Sequence, residues 1–299
     1  MGWAGGTPVL RWRRGGGVGV RRESAVARGS VVGFRAVGVR VCRGARGNPC
    51  PVNGELGGRG TGGLCVECAR LDRLHSVAAD ALADDPRVYR VYVAWFGPGL
   101  VKVGITREER GSARLLEQGA VVFSWLGRGP LMAARRAEEL VRVALGVPDR
   151  IPYAEKRRVR AGLPGVAERA EEVRRTHARA GALAGWPESL ERIGFEAVDH
   201  GAVFGLDGLP PAGGVVRELV AGGCVTGRLL AASGPDLHLA TAAGVGRGVE
   251  VGGGGGGGVV VLDTRLMKGW ELTGVRDGEE GLTVPVLDVR VGDVQGGLF

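Results

Sequence analysis

Four cysteines within 27 residues constrain this chain more than any other feature. Cys42, Cys50, Cys65 and Cys68 are separated by seven, fourteen and two residues, while Cys224 stands alone. In Cys65-Val-Glu-Cys68, two intervening residues let both thiolates turn toward one ion. The gap from Cys42 to Cys50 is longer, but its loop RGARGNP is rich enough in Gly and Pro to fold back and complete a tetrahedral set. The expectation is structural zinc on Cys42, Cys50, Cys65 and Cys68. Two alternatives compete. Disulfides do not suit a chain without a secretion signal. A redox pair at Cys65 and Cys68 would want a strand before it and a helix starting at it, whereas the motif follows GGRGTGGL, a loop. His75, seven residues after Cys68, is a substitute ligand that a filled set does not need. Cys224, in the alternating CVTGRLL, reads as core.

With 57 Gly and 14 Pro in 299 residues, nearly a quarter of the chain is turn-forming, a composition usually associated with disorder. Yet 44% is hydrophobic and 24% charged, which is globular. Part of the glycine is local, in the run 252–258, which reads as a loop between strands. That run and GVGRG (244–248) imitate a phosphate-binding loop, but no Lys-Ser/Thr and no helix follow. No stretch reaches the roughly 18 apolar residues of a membrane helix. The opening MGWAGGTPVLRWRR has no apolar core or cleavage-type ending. A cytoplasmic protein with no membrane contact is expected. The net charge of +8 is concentrated: residues 1–50 hold ten arginines against Glu23, or +9. The remainder, 30 basic and 31 acidic, is −1. Such a head attracts polyanions through counterion release, or is solvated arginine of no consequence.

The periodicities describe an α+β chain in five parts: a basic β-segment (1–41), a cysteine loop and helix (42–86), a denser core (87–160), a helical connector (161–199) and a β-rich part (200–299). In VVGFRAVGVRV, Val37, Val39 and Val41 are expected on one face with Arg40 turned away. A helix is expected over 70–84, ending near Asp84-Asp85-Pro86. RVYRVYVAWF and LVKVGIT read as a hairpin about FGPG. A helix closed at Gly119 follows, then the strand AVVFSWLG and a helix from Pro130 to Gly146, giving the order β-β-α-β-α. Another helix spans 163–184, with Glu171 and Arg175 as partners and His177 among surface charges. Beyond 200, CVTGRLL, LHLAT, VVVLD, GWELTGV and LDVRV read as strands of a small β-barrel or sandwich.

Tyr92 in VYV, then Lys102-Val103-Gly104-Ile105-Thr106, then an arginine-bearing helix, resembles the GIY-YIG nuclease superfamily. The runs KVGIT and ARLLEQGA resemble more closely a widespread bacterial family of uncharacterised proteins. That family joins a cysteine cluster to a GIY-YIG-like core and a β-rich C-terminal part. The likeness extends from the strands before Cys42 to LDTRLMKGWEL (262–272). It implies a base at Tyr92, a phosphate-clamping arginine at Arg114 or else Arg110, and a magnesium-binding carboxylate. Lys102 stands where the second motif tyrosine would be, a departure that leaves phosphate contact but no phenolic relay. Glu138 borders the apolar stripe of Ala134, Val141 and Leu145, whereas Glu139 lies on the polar side, so Glu138 is the metal carboxylate expected. A register shifted by one turn would put Arg142 there and leave the core inactive.

Three functions follow from these readings. The first is a metal-dependent phosphodiesterase on DNA or RNA, using Tyr92, Lys102, Arg114 and Glu138. The second is a non-catalytic, zinc-stabilised nucleic-acid-binding or adaptor protein, with Trp95, Phe96, Trp125 and Trp270 as stacking candidates. The third is a scaffold with no nucleic-acid role. The sequence names no protein partner.

Overall fold

The structure is a computed structural model that describes residues 1–13, 21–74, 85–241, 258–275 and 281–289. Its strands begin with β1 (Gly2–Ala4), β2 (Thr7–Arg13), β3 (Arg21–Ala25) and β4 (Val31–Val37). Helix α1 (Val66–Leu74) precedes β5 (Val88–Trp95), β6 (Val101–Arg107), α2 (Ala113–Gln118), β7 (Val122–Pro130), α3 (Leu131–Leu145), α4 (Tyr153–Val159) and α5 (Val166–Gly181). Then come β8 (Glu191–Arg192), β9 (Val198–Asp199), α6 (Gly201–Phe204), β10 (Gly214–Val216), β11 (Cys224–Ser233) and β12 (Asp236–Ala240). Last are β13 (Val259–Asp263), β14 (Glu271–Gly274) and β15 (Val286–Asp288).

Contacts divide the chain into two units. One comprises Met1–Gly2, Pro8–Asp80 and Pro211–Phe299, the other Trp3–Thr7 and Ala81–Pro210. These units cut across the five segments read from the sequence. Apart from Trp3–Thr7, the basic β-segment belongs to the same unit as the cysteine loop and the strands β10 to β15.

In the first unit, seven strands pair in the order β14-β4-β11-β12-β13-β10-β15. All neighbours are antiparallel except β10 and β13. Between β11 and β12, Gly234 has φ +60° at the first of two turn positions, as a mirror-image hairpin turn with glycine first requires. This sheet corrects the expected C-terminal barrel or sandwich. Among the described residues it is a single open sheet, with β14 and β15 at its ends. The cause is β4, which reaches in from the N-terminal segment and pairs with both β11 and β14. The parallel strand β10 was not foreseen. GVGRG and residues 252–257 lie outside the described residues, as do His75 and the rest of the expected helix to 84. Helix α1 starts four residues earlier than expected, at Val66.

A second correction concerns residues 37–41. The strand ends at Val37, and Gly38 follows with φ +66°. This turn inverts the expected faces: Val39 is 59% exposed and Arg40 only 2%. The Arg40 guanidinium donates to the carbonyls of Gly57, Gly62 and Lys268, so its buried charge is met by three backbone dipoles.

In the second unit, β6-β5-β7-β8 form an antiparallel sheet, and β9 also pairs with β7. The order β5-β6-α2-β7-α3 is the β-β-α-β-α expected. Gly119 and Gly146 close α2 and α3 in left-handed conformations, φ +73° and +65°, which glycine adopts without a Cβ penalty. Helices α3 and α5 pack against β5 and β7. Tyr92, Ala94, Phe96, Leu115, Ala120, Phe123 and Ile151 form a buried core cluster. Two expectations on α5 change. Glu171 pairs with Arg174, three residues on, rather than Arg175. His177 is buried, and its Nε2 donates to the carbonyl of Trp125 at 3.0 Å. Helix α4 was not anticipated. No helix of the described residues is long and apolar enough to cross a membrane.

Candidate functional site

The cysteine loop is built by backbone bonds between its ends. Cys42 N–H donates to the carbonyl of Gly54, and Arg43 N–H to that of Gly63. Leu56 N–H donates back to Arg40. Gly44 takes φ +74°, and a Cβ there would overlap the backbone at Asn48 and Pro49, so only glycine closes the first turn. The Cys65-x-x-Cys68 pair sits where α1 begins, which puts Cys68 on the first turn of the helix.

These turns bring the four Sγ atoms within 4.8 Å of one another. Cys50 and Cys65 sulfurs lie 3.8 Å apart, matching the edge of about 3.8 Å in a tetrahedron with metal–sulfur bonds of about 2.3 Å. Cys42 Sγ accepts from the N–H groups of Gly44 and Cys65, at 3.4 and 3.1 Å. Backbone N–H bonds from Gly54 and Val52 hold the Cys50 thiol down at about 6. Burial and the neighbouring sulfurs push Cys68 up to about 12. Four sulfurs this close are placed to share one metal ion. None of the five cysteines is disulfide-bonded, and Cys224 is buried in β11 as expected. A helix does start directly after Cys65, at Val66, as a redox pair would want, but a loop precedes it and two further thiols share the cluster.

The second constellation lies on the hairpin β5–β6. The register sets Tyr92 opposite Gly104 and Ala94 opposite Lys102. The Tyr92 phenol lies over Gly104, where a Cβ would fall inside contact distance of the phenol oxygen. That gives the glycine of KVGIT a steric reason. Tyr92 is 1% exposed, and its oxygen accepts from Gln118 Nε2 at 3.0 Å. Trp125 meets its ring edge-on, centroids 6.2 Å apart. Burial pushes the phenol up to about 12. The Gln118 bond and the charge of Arg114 act in the opposite sense, and the charge of Glu138 adds to the rise.

Lys102 is also buried, and burial brings its ammonium down to about 8. The charge of Arg114 lowers it further, while Glu138 and Asp149 oppose. Lys102 Nζ donates to the carbonyl of Asp149 at 2.9 Å and lies 5.7 Å from the Tyr92 ring centre. Half-buried Glu138 is raised, chiefly by burial, with the Lys102 charge acting against the rise. Tyr92, Lys102, Arg114 and Glu138 therefore share one electrostatic neighbourhood. Arg114 itself is half-exposed, 3.9 Å from Glu117. Arg110 is bound to Glu117 at 2.8 Å. Glu139 is exposed and paired with Arg142, so the carboxylate next to the lysine is Glu138. Sequence reasoning did not single out Gln118 as the phenol's partner. The signal was its place just before the helix-closing Gly119. Of the stacking candidates, Trp95 and Phe96 are buried, and Trp125 and Trp270 half-buried.

Four convergent thiols on a mixed α/β chain define a protein with a possible metal-binding cysteine centre. Its family is shown by sequence: residues 34–272 match the family described as protein of unknown function DUF2797, and the chain belongs to it. No curated protein and no solved structure matches the chain.

Proposed function

We propose that this chain is a zinc-stabilised nucleic-acid-binding protein that does not cut its ligand. The observation carrying this reading is the buried Tyr92 phenol. A base must shed its proton near neutral pH and reach the attacking water. This phenol is held near 12, is 1% exposed, and has its oxygen engaged by Gln118. Lys102 in place of a second tyrosine supports the same reading. So does the distribution of ligands: among the described residues, the cysteines are the only group of three or more His, Cys, Asp or Glu side chains gathered closely enough to share an ion. Zinc suits an all-thiolate tetrahedral set, and there it acts as a structural cross-link. Cytoplasmic location and a nucleic-acid partner belong to this proposal, the partner resting on the +9 charge of residues 1–50.

A second reading, a magnesium-dependent phosphodiesterase on a GIY-YIG-like core, has one observation in its favour: the charges of Arg114 and Glu138 both act on the Tyr92 phenol. One experiment separates the two. Purified protein is assayed for zinc content, for salt-sensitive binding to DNA and RNA, and for magnesium-dependent cleavage, alongside Tyr92→Phe and Arg114→Ala. One zinc per chain, binding that weakens with salt and no cleavage are expected. Cleavage that Tyr92→Phe abolishes replaces the first reading with the second.

A further inference from the structure

The proposed function leaves open which groups meet the ligand, and the glycine-rich stretch between Cys50 and Cys65 carries an answer. Residues 57–63 read GGRGTGG. Buried Arg40 donates to the carbonyls of Gly57 and Gly62 and to that of Lys268, which brings Lys268 to the same stretch. At Gly63 the approach is closer. A Cβ there would lie 2.6 Å from Arg43 Nε and 3.0 Å from Lys268 Cβ, so both side chains flank one glycine. Gly63 is buried, and its carbonyl accepts from the Arg43 N–H. Its own N–H donates to no acceptor among the described residues.

Two like charges side by side repel, the more so where water is partly excluded. The acids of the surrounding segments are already engaged: Glu67 by Arg70, Glu218 by Arg59 and Asp263 by Arg265. Among the described residues, neither the Arg43 guanidinium nor the Lys268 ammonium has an ion pair or a hydrogen bond. Lys268 is half-buried, and burial lowers its ammonium. The charges of Arg43, Arg265 and Arg40 lower it further, with Asp263 opposing.

We infer that Arg43 and Lys268, flanking Gly63, bind a phosphate group beside the cysteine centre. The phosphate chemistry stands on the two cations and the glycine. That the phosphate belongs to a nucleic-acid backbone rests on the reading above. A guanidinium presents two parallel N–H donors to two phosphate oxygens, and an ammonium adds a point charge. The missing Cβ lets the guanidinium lie against the backbone, next to the unused N–H of Gly63. The rival reading is that both cations only balance the net negative charge of four thiolates on one divalent ion.

The test uses the full chain. Fluorescence anisotropy follows single-stranded DNA and RNA of about 20 nucleotides between about 50 and 200 mM salt, and calorimetry follows inorganic pyrophosphate. Replacing Arg43 and Lys268 together by Gln is expected to weaken oligonucleotide binding at least about tenfold. It should flatten the log–log salt slope by about 1 to 2, for one or two phosphates released. Arg70→Gln with Arg73→Gln removes the same charge from exposed positions on α1 and is expected to weaken binding less. Equal weakening by the two double variants, or none by the first, overturns the inference while the nucleic-acid reading stands. Faster metal release with unchanged affinity also overturns it, in favour of the rival. A wild type that binds pyrophosphate through Arg43 and Lys268 but no oligonucleotide keeps the phosphate site and removes the nucleic-acid reading. A wild type that binds neither removes both. If the first double variant does not fold, Arg43→Gln alone decides, since that exposed side chain has no bond in the fold to lose. Unchanged binding by that single variant rejects the site.

Discussion

A lysine seldom sits inside a folded unit without an acid at bonding distance, and Lys102 does so with the carbonyl of Asp149 as its hydrogen-bond acceptor. Its charge is carried at a cost, and that cost depends on pH. The folded value is about 8 against an unfolded 10.5. Below 8 the ammonium is charged in both states, and the penalty is fully present. Between 8 and 10.5 the unfolded chain holds a proton that the folded chain has released, so stability rises with pH. The gain is at most about 3 kcal/mol. Denaturant unfolding of wild type and Lys102→Met across this range is the measurement. A rising stability difference confined to the wild type is expected, and parallel pH profiles would contradict it. Tyr92 and Gly104 show a related residue-scale rule: the phenol takes the space that only a missing side chain leaves free.

At the scale of the element, the cysteine loop depends on a residue that is not a ligand. Arg40 ties together Gly57, Gly62 and Lys268, so one planar guanidinium holds two stretches of the loop and the residue before Gly269. Lysine cannot reproduce that fork. Arg40→Lys is expected to lower stability by about 2–3 kcal/mol, the value of charge-assisted bonds lost in a buried site. It is also expected to speed release of the proposed zinc to a colorimetric chelator. Unchanged release kinetics and an unchanged denaturant midpoint would show that the loop holds itself. The alternation of Val37, Val39 and Val41 pointed to the opposite burial, because a period-2 pattern is informative only while the strand continues. Gly38 ends it. The hairpin β5–β6, α2 and α3 were legible since each has a local stop, the turn at Gly97–Gly99, Gly119 and Gly146, and an apolar period that matches its element. Helix α4, with Lys156 buried among three successive cations, has no such stripe and was missed.

Across the whole molecule, the two units each have their own core, and the cysteines belong to the first. Removing the proposed zinc is expected to act on one of them. Hydrogen exchange followed by mass spectrometry, with and without chelator, should show lost protection over residues 41–69. There the amides of Cys42, Arg43 and Leu56 bond within the loop. Strands β5 and β7 should keep theirs. Equal loss in both units, or none in the loop, would mean the cysteines do not hold a stabilising ion. The sequence by itself determined the ligand types, the local elements of the second unit and the placing of charge in the first 50 residues, because spacing, periodicity and composition are properties of neighbours along the chain. Only the tertiary structure decided that β4 completes a sheet begun nearly 200 residues later, that Arg40 turns inward, and that the Tyr92 phenol is sealed beneath Gln118. Those are contacts between distant segments, and burial and hydrogen-bond partners across such distances leave no periodic trace in the residues that make them.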